Sequence, residues 1–151
     1  MKNSFRYYLR VRYSECDAQK VVFNSRYGDY VELGTAEFMR SLGYETELVS
    51  GQLDYQLVKQ TLEWRSPARF DQVLELTVEN THLGNTSFTL RTEFRRPGNE
   101  QIIALVETVY VLVDSQTLNK IPLSQDFRYK LANGASGKIV DHAGYLRNQK
   151  S

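Results

Sequence analysis

Residues 26–42 repeat their apolar side chains at helical spacing, whereas most of the chain after residue 54 repeats them at every second position. That single switch of period limits the fold to one long helix packed on a sheet. Tyr27, Tyr30, Val31, Phe38 and Leu42 form one stripe of a helix predicted from about Arg26 to Leu42, and Gly34 lies on the same stripe. Burying these side chains is worth at most about 7–15 kcal/mol. This outweighs the cost of about 1 kcal/mol for a glycine inside a helix. A glycine on the buried stripe allows close approach to a sheet. Asn24 and Ser25 are both suited to cap the helix start, and Gly43 to stop it.

A strand-like run precedes the helix, from Tyr7 to Tyr13. After a loop near Ser50–Gly51, Gln56, Val58, Gln60, Leu62 and Trp64 are expected on one strand face, with Tyr55, Leu57 and Thr61 on the other. Leu74, Leu76 and Val78 alternate with acidic residues and threonine, and Phe88, Leu90 and Phe94 alternate with charged ones, as in half-buried strands. Leu83-Gly84-Asn85 and Arg96-Pro97-Gly98-Asn99 read as hairpin turns. Ile102 to Val113 is apolar on both faces and predicts a central strand. Pro122 marks the approach to a short closing helix, and residues 133–151 lack periodicity and read as a partly mobile tail. The expectation is one α+β domain over residues 1–132, with about five antiparallel strands on one helix.

Asp17 is the residue from which a function can be argued. It lies in the polar stretch between the first strand and the helix, beside a helix start whose unpaired N–H groups can hold developing negative charge. A carboxylate facing such a site is what attack on an acyl carbonyl requires. Taken alone, Asp17 could equally cap the helix or pair with Lys20 or Arg12. Glu15, in the same segment, is expected to point away or form a salt bridge. The single cysteine, Cys16, excludes an internal disulfide and fits a reducing cytoplasm, and its acidic neighbours favour an inert thiol over a nucleophile. Two histidines without ligand spacing leave no predicted metal site. A net charge of +1 gives no footprint for a nucleic acid, and no apolar run reaches membrane-spanning length.

Tyr13, Glu15, Asp17, Val21, Val22, Phe23, Asn24, Tyr27 and Glu32 stand at a spacing that resembles the hot-dog-fold acyl-CoA thioesterases of the 4-hydroxybenzoyl-CoA thioesterase group. SPARFDQVLEL (residues 66–76), Ser87-Phe88, Ile121-Pro122 and Arg128 extend the resemblance over about Phe5 to Leu131. It implies a five-stranded antiparallel sheet wrapped around the helix, with Asp17 as the catalytic carboxylate, acting as general base or nucleophile. Backbone amides near Phe23 and Asn24 would polarise the thioester carbonyl. No cofactor is implied, and active sites would lie at the interfaces of a homodimer or homotetramer. Lys20 departs from the glycine common in the group's Asp-x-x-Gly turn, and the turn before Ser87 lacks a basic cluster for CoA phosphates.

Several residues carry two readings. Tyr27 is a helix core residue or, lying early in the helix, a substrate contact. Ser87 is a strand residue or a contact for the pantetheine arm. Arg128 is a solvated charge or a partner for CoA phosphates. Glu32 reaches a second subunit or faces solvent. The expected function is hydrolysis of an acyl-CoA thioester to a carboxylic acid and CoA. The alternative is a non-catalytic acyl-CoA or acyl-carrier-protein binding module with a spoiled catalytic loop. The absence of a histidine near the helix start argues against hot-dog dehydratases.

Overall fold

A computed structural model describes residues 4–149. β1 (Phe5–Arg10) leads through a 3₁₀ turn (Tyr13–Glu15) to α1 (Arg26–Ser41) and α2 (Glu45–Ser50). Four long strands follow: β2 (Asp54–Trp64), β3 (Val73–Leu83), β4 (Ser87–Arg95) and β5 (Ala104–Val113). α3 (Gln125–Asn133), β6 (Ile139–Asp141) and α4 (Tyr145–Gln149) complete the described chain. The sheet order is β2-β5-β4-β3-β1-β6. β1 to β5 pair antiparallel along this order, and β6 runs parallel to β1.

The helical stripe is buried as its spacing predicts: Tyr27, Tyr30, Val31, Gly34, Phe38 and Met39 all face the sheet. A Cβ on Gly34 would stand 3.3 Å from Leu76 Cδ2, so the absent side chain sets how closely α1 meets β3. Below the helix, Phe5 meets Phe38 edge-on at 5.5 Å, and Phe88 stacks on Tyr110, which Tyr55 meets edge-on. Ser25 stands at the helix N-cap without a side-chain cap bond, and Gly43 follows the last turn with φ +101°.

Four expectations are corrected. The first strand ends at Arg10 rather than Tyr13, because the Glu15 carboxylate takes the Arg12 N–H and turns the chain. A register shift between Leu57 and Lys59 breaks the alternation of β2. Tyr55 and Leu57 therefore share the helix-facing side with Gln60, Leu62 and Trp64, through their partners Leu112, Tyr110, Thr108, Val106 and Ala104. The sheet has six strands, not five. Its extra strand comes from the segment read as a mobile tail, where Arg6, Tyr7 and Tyr8 pair with Ile139, Val140 and Asp141. A three-residue strand is too short to show a period. Asp141 then caps the turn into α4, its carboxylate accepting the N–H groups of Ala143, Tyr145 and Leu146.

Candidate active site

Asp17 occupies a small hairpin between β1 and α1. Its N–H donates to Val21 O at 2.9 Å, Cys16 pairs with Val22, and the Phe23 N–H donates to Glu15 O at 2.9 Å. Lys20 takes the left-handed conformation, φ +64°, and its N–H closes the turn on Asp17 O at 2.9 Å. The lysine thus adopts the backbone that glycine supplies at no steric cost. Asp17 is exposed, and Oδ1 accepts the Gln19 N–H at 2.8 Å. Neither Lys20 nor Arg12 pairs with it among the described residues; Arg12 is held by Glu15 instead.

Glu15 anchors this hairpin from within. Only 6% exposed, its carboxylate accepts from the Arg12 backbone N–H (2.8 Å), Arg12 Nε and Nη2 (2.9 and 2.6 Å) and Tyr30 Oη (2.7 Å). Burial pushes its pKa up, but the hydrogen bonds from Arg12 and Tyr30 and the guanidinium charge outweigh burial and leave it below the usual value. The expected salt bridge of Glu15 is present. Its second partner, Tyr30, was hidden in the sequence because a tyrosine on a buried stripe reads as filler. Cys16 is half-buried, and its thiol pKa is raised by burial and by Glu15 and Asp17.

At the helix start, the Phe23 amide is already used within the hairpin, whereas the amides of Asn24 and Ser25 donate to no described group. The ring of Phe23 is exposed beside them. Tyr27 lies in the core, in edge contact with Tyr30, Trp64 and Phe94, and therefore backs the helix start rather than opening onto it. Glu32 accepts a hydrogen bond from Tyr110 Oη at 3.2 Å.

Arg128 lies against the turn that precedes Ser87, far from Asp17. Arg128 Nη2 donates to Gly84 O at 2.6 Å and more weakly to Asn85 O, pinning α3 to the turn that precedes Ser87. That turn and the Asp17 hairpin lie at opposite ends of the sheet, since β4 runs from Ser87 to an Arg95 paired with the β3 end nearest β1's exit. The separation is about 25 Å along the strand. No group of metal-binding side chains is present among the described residues.

The sequence model of the thioesterase-like superfamily matches residues 11–131. The chain belongs to that superfamily. It is 29% identical over 111 residues to the acyl-CoA thioester hydrolase YbgC of Escherichia coli O6:H1, covering 73% of this chain and 82% of the relative. A crystal structure of a hypothetical protein from Aquifex aeolicus superposes with a TM-score of 0.76 at 25% identity, covering 84% of this chain and 98% of that one. The 1,4-dihydroxy-2-naphthoyl-CoA thioesterase Slr0204 of Synechocystis superposes with a TM-score of 0.74 at 18% identity, covering 85% and 95%, a likeness of fold alone. The fold is the hot-dog fold, and the chain is a thioester hydrolase of this superfamily. No described helix is long and apolar enough to cross a membrane.

Proposed function

We propose that this thioesterase hydrolyses acyl-CoA, with Asp17 as the catalytic carboxylate. The observation that supports this reading most is the pairing of an exposed carboxylate with unengaged amides on one hairpin. Asp17 Oδ1 is held by the Gln19 N–H, while the Asn24 and Ser25 amides at the α1 start have no acceptor of their own. A thioester carbonyl laid against the Asn24 amide would have its developing oxyanion stabilised by about 3 kcal/mol per donor. Asp17 would then either activate a water or attack the carbonyl carbon as a nucleophile. The Phe23 ring would flank the acyl group, and Tyr27 would hold the helix start from behind.

The assembly in this reading is a homodimer or a homotetramer built from dimers. β2 is an edge strand with Leu57, Val58 and Trp64 exposed along it. An uncovered apolar edge of this length invites pairing. Two-fold pairing of β2 with its copy sets the two strands antiparallel, so the Asp17 end of one sheet lies beside the Ser87–Arg128 end of the other. Ser87 and Arg128 would then meet the pantetheine arm and the phosphates of a CoA whose thioester sits at the neighbouring Asp17. A cytoplasmic location fits the lone free cysteine.

Turnover of a panel of acyl-CoA substrates, followed by release of free thiol, tests the activity. Light scattering at micromolar concentration tests the assembly, and a stable monomer would contradict the shared site. Binding of acyl-CoA without release of thiol would identify a binding module instead.

A further inference from the structure

β6 and α4 lie beyond residue 131, where the match to the superfamily model ends. They occupy the outer side of β1. The Arg6 N–H donates to Lys138 O at 3.1 Å and the His142 N–H to Tyr8 O at 2.9 Å, so Arg6 and Tyr8 turn their peptide groups toward β6 rather than β3. Side chains of the segment cover the same edge from both faces. His142 meets Tyr7 edge-on at 5.1 Å, with its Nδ1 3.0 Å from Tyr7 Oη, and Tyr145 lies against Tyr8 at 5.0 Å. Successive strand residues point to opposite faces, so these two contacts grip β1 from either side. Val140 packs on the core between them.

The two ends of the sheet are therefore unlike. At one end, β2 offers eleven residues of edge with Leu57, Val58 and Trp64 exposed. At the other, β1 without its cover would offer an edge that carries Phe5, Tyr7, Tyr8 and Leu9, all now buried. An apolar edge of that kind is a template for pairing with another chain. β6 replaces it with an edge of three residues, which ends where Asp141 accepts the N–H groups of Ala143, Tyr145 and Leu146 and turns the chain into α4. Two-fold pairing through β2 uses one edge of each copy. With β1 also open, a second two-fold pairing would join such pairs into a chain that never closes.

We infer that the β6–α4 segment is an edge guard, which occupies β1 so that the sheet extends to a second copy only through β2. The surface it withholds is the β1 edge, and the partner that surface fits is the β1 edge of another copy. The inference rests on the proposed β2 pairing for where edge growth stops, but not on Asp17 or on thioester chemistry.

The test is light scattering of the full chain and of Val140→Pro/Asp141→Ala over a range of protein concentration. Proline at 140 cannot donate to β1, and alanine at 141 cannot accept the three N–H groups, so the segment is released while α1 and the long strands keep their contacts. The mean mass of the variant should rise roughly twofold or more above wild type and climb with concentration. Adding Arg6→Pro, which removes an N–H that faces β6, should return the mass to the wild-type value. Circular dichroism follows folding throughout. If the double variant loses the folded spectrum, Asp141→Ala alone decides, with the same growth expected at higher concentration. A folded variant of unchanged mass overturns the inference. So does growth that persists with Arg6→Pro, because such growth does not use the β1 edge. A monomeric wild type rejects the β2 pairing instead. The guard then predicts that the variant forms a dimer which Arg6→Pro dissolves, and a variant that stays monomeric overturns it.

Discussion

Tyr30 Oη donates a 2.7 Å hydrogen bond to Glu15 Oε1, joining the first turns of the long helix to the hairpin that carries Asp17. Both residues are buried, and Phe23, at the far arm of the hairpin, donates its N–H to the carbonyl of the same Glu15. One residue thus holds both arms of the loop and ties them to the helix. Tyr30→Phe leaves a buried carboxylate oxygen with only the Arg12 N–H, and is expected to cost about 1–3 kcal/mol in denaturant unfolding.

The same contact predicts an acid dependence. The Glu15 pKa is lowered in the folded chain, because the hydrogen bonds of Arg12 and Tyr30 outweigh burial. The ionised carboxylate therefore contributes stability that is full above its unfolded pKa, about 4.3. That contribution is lost as pH falls through the lower folded value. Glu15→Gln should be less stable than wild type at neutral pH, with the gap narrowing as pH drops below about 4. A gap independent of pH would show that the loss is one of packing rather than of charge.

Lys20 holds a left-handed backbone that costs a non-glycine residue about 1–2 kcal/mol. Lys20→Gly removes this strain but adds about 0.4–1 kcal/mol of freedom to the unfolded chain. Stability should stay level or rise slightly, with turnover retained. Lys20→Val, β-branched at the same φ, should lose both stability and turnover. Loss of turnover in Lys20→Gly would assign a role to the ammonium group rather than to the shape of the turn.

Arg128→Ala should raise KM for acyl-CoA more than it lowers kcat, the pattern left by uniform loss of binding. An unchanged KM would leave Arg128 as the clamp that its bonds to Gly84 and Asn85 describe.

The helix and the four long strands were legible because each buries one face over many residues, and periodicity reports that directly. Gly34 was also legible, since a glycine on a buried stripe has few other uses. The phase of β2 was not, because one extra residue near Val58 reverses the alternation without altering composition. β6 escaped for lack of length, and so did its partners: Tyr7 and Tyr8 read as ordinary strand residues, with nothing to mark the edge they offer to residues 139–141. At the candidate site, the sequence singled out Asp17 and the helix start, while the engagement of the Phe23 amide within the hairpin emerged only from the fold.

Asp17→Asn tests the centre of the proposed mechanism, and the turn geometry makes it a clean substitution. Asn retains an oxygen at the position that accepts the Gln19 N–H, so the hairpin should keep its shape and the variant its melting temperature. What is lost is the negative charge that a base or nucleophile requires. The expected result is a fall in kcat of roughly 100-fold or more, with KM little changed. Glu15→Gln is the comparison, because it removes a charge two residues away that faces Arg12 and Tyr30 rather than solvent. Its kcat should fall far less, and its cost should appear chiefly in stability. Retained turnover in Asp17→Asn together with loss in Glu15→Gln would assign the chemistry to the buried carboxylate and reject Asp17.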